Sequence, residues 1–385
     1  MRSPIRYVLV LLVSCLVGAL GIVAPAHGAA PKAGPAPQIV VPPNVTAGVA
    51  VFDRQTGQFT EQLNTAMQFR SASLVKLLLV LDFLWNRGPT YDIPAADRTR
   101  LDVMLQRSDD AAASHYWSTL GGSAVINRMV PRLGLQNTAP PPSTHPGFWG
   151  YVAISAADVV RIYRYILDQA PAQVRDYIMG NLHAAKRCGT DGFDQYMGIP
   201  SSFNRPWAIK QGWSGMSSGG CTSATLASLM GAKEPAVAPA VIGPMAVDLT
   251  REALHSTGTV GAGDRVIVAA LTLNPDGTSY GAAYSRLNQL VRSLNVPGAT
   301  KPAGTWFGTW GSGVRVRSGT NTGTSIVSEL PAGVEVLVDC QVQGQTVNVP
   351  PYTNNWWAHL PLYPGYMTNI YVSSPGNQLP GVPTC

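Results

Sequence analysis

Near the start of the chain, the mostly apolar segment 46–52 and the segment 58–63 flank the polar segment 53–57, which ends in glycine. This pattern predicts two β-strands joined by a hairpin turn. Residues 73–85 are then almost entirely apolar, which predicts a helix buried at the centre of a domain. Helical periodicity continues over residues 98–120, 124–133, 155–169 and 172–184.

Strand patterns return late, over residues 207–213, 252–260 and 265–272, and an amphipathic helical pattern follows over residues 282–294. Strands therefore occupy both ends of this region, with helices between them. We expect an α/β domain over residues 44–297, in which both ends of the region build one mixed sheet flanked by helices.

The segment 298–305, rich in Gly, Pro and Ala, predicts a linker. Over residues 306–385, short alternating strands and turns replace the helical period. We therefore expect a small all-β domain at the C-terminal end.

The N-terminal segment has the pattern of a secretory signal peptide over residues 1–28. Arg2 and Arg6 precede a long apolar run, and small residues follow it. The run is short for a retained membrane span, which needs about 20 residues. A lipobox-like sequence before Cys15 is a second alternative, in which Cys15 is lipidated. We expect a secreted or cell-envelope protein, with a Pro- and Ala-rich leader over residues 29–43.

Composition narrows the classes of function. The chain is 45% apolar and 12% charged, which is typical of a globular protein with a large core. Its net charge of +6 favours a location near anionic polymers, including bacterial wall material. The basic residues are scattered, which argues against nucleic-acid binding. We expect a monomer without a cofactor.

Export changes the interpretation of the cysteines. Four remain after Cys15, and an even number in an oxidising compartment predicts two disulfides with three possible pairings. The pairing that each domain can make alone joins Cys188 to Cys221 and Cys340 to Cys385. No Cys-x-x-Cys or His-rich spacing suggests a metal site.

The first candidate for chemistry is Ser73 followed three residues later by Lys76, at the start of the apolar helix. One helical turn places both side chains on one face, and the helix N-terminus favours a serine alkoxide. A lysine among leucines loses solvation and can act as a base. The alternative is a polar helix start with a lysine that reaches solvent, since a chain of this length contains about one such pair by chance.

Two further motifs follow in order. Ser108 and Asp110 lie just before a helix start rich in alanine, and Lys210 lies with Gln211 and Gly212 on a strand. The order Ser-x-x-Lys, Ser-Asp-Asn, Lys-Thr-Gly is the signature of class A β-lactamases and penicillin-binding proteins. Residues 45–294, including the segments 132–135 and 155–158, resemble that superfamily, and in particular a group of actinobacterial secreted serine hydrolases with a Lys-x-Gly-Trp strand.

The resemblance implies a role for each matching residue. Ser73 would attack the carbonyl with help from Lys76, and Ser108 would relay a proton to the leaving nitrogen. Lys210 would hold the substrate carboxylate and tune Ser108. The backbone N–H groups of Ser73 and Trp213 would form the oxyanion hole. The substrate-binding residues would be Asp110, Gln211 and Gly212, and β-lactams would be acylating ligands.

Three departures from the pattern matter. Asp110 stands where Asn is usual, and Gln211 replaces a Thr whose hydroxyl helps to bind the carboxylate. No Glu occurs between Glu61 and Glu234, whereas class A enzymes use a glutamate there to activate water. We therefore expect poor β-lactam turnover, and peptidase or esterase chemistry on wall peptides. The alternative is a binding protein that keeps the fold and has lost turnover.

A competing motif places Ser217 in a Gly-x-Ser-x-Gly sequence, followed by Asp248 and His255 in the order of α/β-hydrolases. The chain before Ser217 lacks the strand and helix alternation of that fold, so this interpretation is disfavoured. His255 more simply lies on a strand that neighbours the Lys210 strand.

The tail over residues 306–385 resembles the bacterial SH3 family, small barrels common on wall-directed proteins. Trp356, Trp357 and Tyr366 could line a peptide groove there, or could simply fill a small barrel. The expected partner is peptidoglycan or another wall component.

Overall fold

The computed structural model describes residues 39–221 and 247–385. The predicted signal peptide, Cys15 and most of the leader lie outside these residues. In the part of the chain that is described, no helix combines the length and apolarity that a membrane crossing requires. The described residues lie within one compact unit.

Among the described residues, a five-stranded sheet runs through the larger α/β part in the order β2-β1-β7-β6-β5. Strands from both ends of this region meet at its centre, where Val51 of β1 pairs with Val268 of β7. The predicted α/β fold class is confirmed, with one refinement: these strand pairs are all antiparallel, so the sheet is not mixed. The strands are β1 (Thr46–Asp53), β2 (Gln58–Leu63), β5 (Trp207–Ser214), β6 (Ala253–Val260) and β7 (Val266–Leu273), and a separate short pair is β3 (Phe69–Arg70) with β4 (Ala153–Ile154).

Helices cover both faces of this sheet. Along β1, Ala50 and Phe52 join the core that contains α1, whereas Val49 and Val51 join the core that contains α8. This period of two buries the central strands on both faces. The helices are α1 (Lys76–Trp85), α2 (Ala95–Gln106), α3 (Asp110–Thr119), α4 (Ala124–Leu133), α5 (Ala156–Arg164), α6 (Ala172–His183), α7 (Ile199–Ser202) and α8 (Tyr280–Ser293).

Two predicted helices differ from the observed elements near the candidate site. The helix predicted over residues 73–85 begins as the 3-10 turn Ala72–Val75 and becomes α1 at Lys76. The pattern over residues 98–120 is divided into α2 and α3, because Ser108 has a φ of +57° that no α-helix accommodates. The carboxylate of Asp109 then caps α3 by accepting a 2.7 Å hydrogen bond from the Ala112 N–H.

The tail is all-β, as predicted. Its described strands form a sheet in the order β10-β9-β14-β13-β12 and a two-stranded pair, β8 with β11. The predicted domain boundary at residues 298–305 stays a prediction. Buried residues on both sides of this segment belong to one hydrophobic core. The strands are β8 (Thr305–Gly308), β9 (Val314–Arg317), β10 (Ile326–Leu330), β11 (Glu335–Val338), β12 (Cys340–Val349), β13 (Tyr352–Leu360) and β14 (Gly365–Thr368).

Each of the two disulfides joins cysteines that lie within one part of the chain, either the α/β region or the tail. Cys188 is bonded to Cys221 and Cys340 to Cys385. Asp339 and His359 lie close to Cys340, but the sulfur of Cys340 is already bonded in its disulfide.

Candidate active site

Ser73 lies in the 3-10 turn Ala72–Val75, between the sheet and the helices. The turn is entered through Ala72, whose φ of +43° is unusual for a residue with a side chain. Two hydrogen bonds hold the preceding segment: the Ser71 N–H donates to Val152 O at 2.7 Å, and the Nε2 of His255 lies 2.9 Å from Arg70 O. Strain of this kind is typical of positions that a surrounding structure holds for function.

Lys76 is fully buried and its amine contacts both serines. The Nζ lies 2.7 Å from Ser73 Oγ and 3.3 Å from Ser108 Oγ. It also donates to the Ser108 carbonyl oxygen and to Asp110 Oδ1, each at 2.6 Å. A buried amine needs several hydrogen-bond acceptors. The Ser108 carbonyl and Asp110 supply two of them, which explains how the amine is accommodated in the core.

Ser108 occupies the turn between α2 and α3. Its positive φ directs the hydroxyl toward both amines, and Lys210 Nζ lies 2.7 Å from Ser108 Oγ. Asp110 follows in the first turn of α3, where the partial positive charge of the helix N-terminus favours a carboxylate. The side chain of Asp110 is about half exposed, unlike the buried amine that it pairs with.

Lys210 lies on β5 and is buried. Burial lowers the pKa of its amine well below the usual range, and the charge of Lys76 lowers that pKa further. Asp110 and Asp191 act in the opposite direction. This shift favours the neutral form of the amine more than in an exposed lysine.

Gln211, predicted to bind substrate, does not join this cluster. Side chains alternate across a strand, so Gln211 points to the other face of β5 from Lys210. There its amide donates to Gln195 O at 3.0 Å and Met197 O at 2.7 Å, and accepts from the Thr257 N–H at 3.1 Å. These contacts hold the side chain to the backbone of neighbouring elements, and its predicted role in substrate binding stays a prediction.

Gly212 lets β5 pass close to the turn that carries Ser73. A Cβ at Gly212 would lie 3.0 Å from Ser71 O and 3.4 Å from the Cβ of Ala72. Trp213 follows at the end of β5, partly exposed, and its indole N–H donates to Asp191 Oδ2 at 2.8 Å. Gly212 therefore lies beside the turn that carries Ser73, and the predicted part of the Trp213 N–H in an oxyanion hole stays a prediction.

Two residues that sequence patterns did not single out also contact the site. The ring of Trp149 covers Lys76, with Nζ 4.8 Å from the ring centre, and its indole N–H donates to Ser114 Oγ at 3.1 Å. Asp191 lies in a segment tied to the Ser108 turn, because the Thr190 N–H donates to Arg107 O at 3.0 Å. Burial raises the pKa of the Asp191 carboxyl.

Together, these contacts form a continuous chain of polar atoms. It runs from Ser73 Oγ to Lys76 Nζ, then to Ser108 Oγ and Lys210 Nζ, with separations of 2.7, 3.3 and 2.7 Å. A hydroxyl that contacts a buried amine can be deprotonated as it attacks a carbonyl, and the remaining groups can carry the proton onward.

The disfavoured alternative based on Ser217 receives no support from these contacts. Both ring nitrogens of His255 face backbone groups: Nδ1 lies 3.1 Å from the Thr272 N–H nitrogen, and Nε2 faces Arg70 O. Asp248 pairs with Arg251 at 2.6 Å. His255 is the buried strand residue beside Gly212, as the simpler interpretation predicted.

No family model matches the chain. It is 39% identical over 173 residues to the protein described as "Putative lipoprotein LppW" in Mycobacterium tuberculosis and in Mycobacterium bovis. The match covers 44% of this chain and 54% of that protein, so the chain spans about half the length of the curated relatives it matches.

Among solved structures, the chain is similar to PBP-A, at 17% identity and a TM-score of 0.46, over 65% of this chain and 89% of that chain. It is similar to the class A β-lactamase from Mycobacterium abscessus, at 15% identity and a TM-score of 0.45, over 64% and 92% of the two chains. The β-lactamase from Streptomyces albus G follows at 15% identity and a TM-score of 0.43, over 65% and 92%.

Proposed function

We propose that this protein is a serine acyl-transfer enzyme in which Ser73 forms a covalent acyl-enzyme with an amide or ester substrate. The observation that carries the proposal is the contact of Lys76 Nζ with Ser73 Oγ at 2.7 Å, continued through Ser108 to Lys210. The Ser108 carbonyl and Asp110 already accept hydrogen bonds from the Lys76 amine, so the contact with Ser73 Oγ is not needed to accommodate that amine in the core.

In the proposed acylation, Ser73 Oγ forms a bond to the substrate carbonyl carbon while its proton passes to Lys76. Lys76 returns a proton to Ser108, and the Ser108 proton passes to the neutral amine of Lys210. When the bond to the leaving nitrogen or oxygen breaks, Ser108 supplies the proton, which Lys210 restores to it. The N–H groups of Ser73 and Trp213 would stabilise the oxyanion.

Deacylation is expected to be slow. Deacylation requires that a water molecule be activated beside the ester. Asp110 is the carboxylate that contacts the serine–lysine chain, and it already accepts a hydrogen bond from the Lys76 amine at 2.6 Å. Trp149 covers the same amine with an apolar ring. These contacts favour a long-lived acyl-enzyme over rapid β-lactam turnover.

The substrate class that we propose is a wall peptide or a related amide or ester, with β-lactams as acylating ligands. The signal-peptide pattern of residues 1–28 supports a location at the cell envelope. The matched relatives are described as lipoproteins, which supports the same location and the lipidation alternative at Cys15. In this proposal the tail over residues 306–385 binds wall material.

A binding protein without turnover is the second candidate. The ion pair between Lys76 and Asp110 favours it, because this contact stabilises the protonated amine, which cannot take a proton from Ser73.

The experiment is intact mass measurement of the mature protein after incubation with a fluorescent penicillin. We expect an adduct of one drug mass, which Ser73→Ala lowers by about a thousandfold or more in rate. Ser71→Ala is the matched control, since Ser71 is buried in the same segment but contacts backbone oxygens only. Equal labelling of Ser73→Ala and the wild type would overturn the assignment. No labelling, with no turnover of ester substrates, would favour the binding protein.

A further inference from the structure

The tail carries a cluster of three aromatic rings that is not part of the proposed acylation site. Trp310 is 48% exposed and Tyr352 is 57% exposed. The ring of Trp310 lies 5.8 Å from that of Tyr352 and 5.2 Å from that of Tyr371. The rings are inclined to one another by 52° and 48°, and together they form one contiguous aromatic cluster. Large exposed apolar surfaces of this kind often mark ligand-binding sites.

The aromatic surface is held in place by the protein itself. The indole N–H of Trp310 donates to Ile370 O at 2.9 Å, and the backbone N–H of Trp310 donates to Tyr371 O at 3.1 Å. The ring therefore keeps one orientation when no ligand is bound. Pre-organised aromatic side chains lose little entropy on binding.

Tyr371 also lines a cavity of about 240 Å³ beside the rings, together with Arg315, Arg317, Thr322 and Thr368. Neither arginine takes part in an ion pair among residues 39–221 and 247–385.

The contacts of these two arginines do not neutralise their positive charges. Glu329 faces Arg315 across the strand pair without forming such an ion pair, and Arg317 donates one hydrogen bond to Thr324 O at 2.8 Å. Two guanidinium groups without a paired carboxylate favour an anionic ligand.

We propose that this surface binds a saccharide that carries a carboxylate. A sugar ring presents an apolar face of C–H groups that packs on aromatic rings, while its hydroxyl groups can contact Thr322 and Thr368. The arginines would bind the carboxylate through paired N–H groups. This inference rests on the proposal that the tail binds wall material, and it is independent of acyl transfer at Ser73.

An extended peptide fits the surface less well. Peptides that bind sheets usually add a strand at a free edge. The strand that carries Arg315 and Arg317 is β9, which is already paired on both sides, with β10 and β14. Recognition there must use side chains, as the aromatic rings and arginines allow.

The test is isothermal titration calorimetry of the mature protein with two glycans of equal length. One is a tetrasaccharide of alternating N-acetylglucosamine and N-acetylmuramic acid, which carries carboxylates, and the other is neutral chitotetraose. We expect the acidic glycan to bind at least tenfold more tightly than the neutral one. Arg315→Gln should remove that preference, and Tyr352→Ser should weaken the binding of both glycans by at least fivefold.

Trp306→Ala is the matched control, since Trp306 is a partly exposed tryptophan of the same tail that contacts Arg292, outside the three-ring cluster. It should bind as the wild type does, and thermal unfolding checks that each variant is folded. Equal affinity for both glycans, no binding at millimolar concentration, or wild-type binding by Tyr352→Ser would each overturn the proposal. So would binding of a wall peptide, but neither glycan, that depends on Arg315 and Tyr352.

Discussion

Two amines lie on either side of the Ser108 hydroxyl, and they differ in their surroundings. Lys76 has a carboxylate partner in Asp110, whereas Lys210 contacts Ser108 Oγ and, at 3.2 Å, Gln211 O. Burial and the charge of Lys76 lower the pKa of Lys210. In the acylation that we propose, Lys210 accepts a proton from Ser108, a role beyond the carboxylate holder that the family resemblance implies.

Replacing Lys210 by arginine separates these two roles. A guanidinium holds a carboxylate well but stays protonated, so it cannot accept a proton from Ser108. We expect Lys210→Arg to lower the acylation rate by roughly a hundredfold or more, the usual scale for loss of general acid–base catalysis. Stopped-flow labelling with a fluorescent penicillin measures the rate. Retention of more than half of it would show that Lys210 serves as a positive charge only.

His255 makes folding sensitive to acid. Burial lowers the pKa of its ring from 6.5 to about 4. The unfolded chain therefore binds this proton more readily, and stability that is present above pH 6.5 is lost as the pH falls toward 4. The loss amounts to ~3 kcal/mol for one group with this shift. Urea unfolding from pH 7 to 4 should show a shallower decline for His255→Gln than for the wild type. Parallel curves would contradict this assignment.

At the scale of elements, the site depends on how closely β5 approaches the 3-10 turn Ala72–Val75. Gly212 permits that approach because it has no Cβ. We expect Gly212→Ala to push the turn away from β5, to slow acylation by about tenfold and to destabilise the fold by ~1–3 kcal/mol. Gly308→Ala is the control, since a Cβ there meets its nearest neighbour at 3.7 Å. Equal acylation rates for both variants would show that the close approach is unimportant.

Much of this arrangement could be predicted from sequence. The apolar run that follows Ser73 predicts a buried helix, and the strand patterns at both ends of the region predict a sheet that both ends share. The order of Ser73, Lys76, Ser108 and Lys210 predicts that they converge, and the described contacts bring them together. These features are predictable because each depends on local periodicity or on a known motif order.

Other features depend on tertiary packing. Trp149 and Asp191 reach the site through loops whose paths no periodicity encodes. The φ of Ser108 is likewise imposed by its surroundings. Gln211 is a different case, since the alternation of side chains along a strand already indicates that it faces away from Lys210.

At the scale of the whole molecule, the tail packs directly on α8. Ser285 Oγ lies 3.1 Å from Gly333 O and accepts from the Glu335 N–H at 2.7 Å, and Arg292 pairs with Glu335 at 2.7 Å. A Cβ at Gly281 would lie 2.1 Å from Ala332 O, so the backbones are in close contact. The tail is thus part of the compact unit that contains the site.

This contact should make the two parts unfold together. We expect Gly281→Ala to destabilise the whole protein by ~1–3 kcal/mol, because the added methyl group meets backbone that cannot move aside alone. Differential scanning calorimetry should show one transition, shifted to lower temperature. Gly180→Ala is the matched helix control, since it meets no atom within 4 Å and should be neutral or stabilising. An unshifted midpoint in Gly281→Ala would contradict the close contact.

The pairing of β1 with β7 has a consequence for the order of events during biosynthesis. The two strands are neighbours in the sheet, yet more than 200 residues separate Val51 from Val268. A ribosome releases the chain from its N-terminus, so β1 can pair with β2 early but must wait for most of the chain to be made before its second partner, β7, exists. The Ser73 turn and the Lys210 strand therefore come together late, and a nascent chain carries an unassembled site until β7 has emerged.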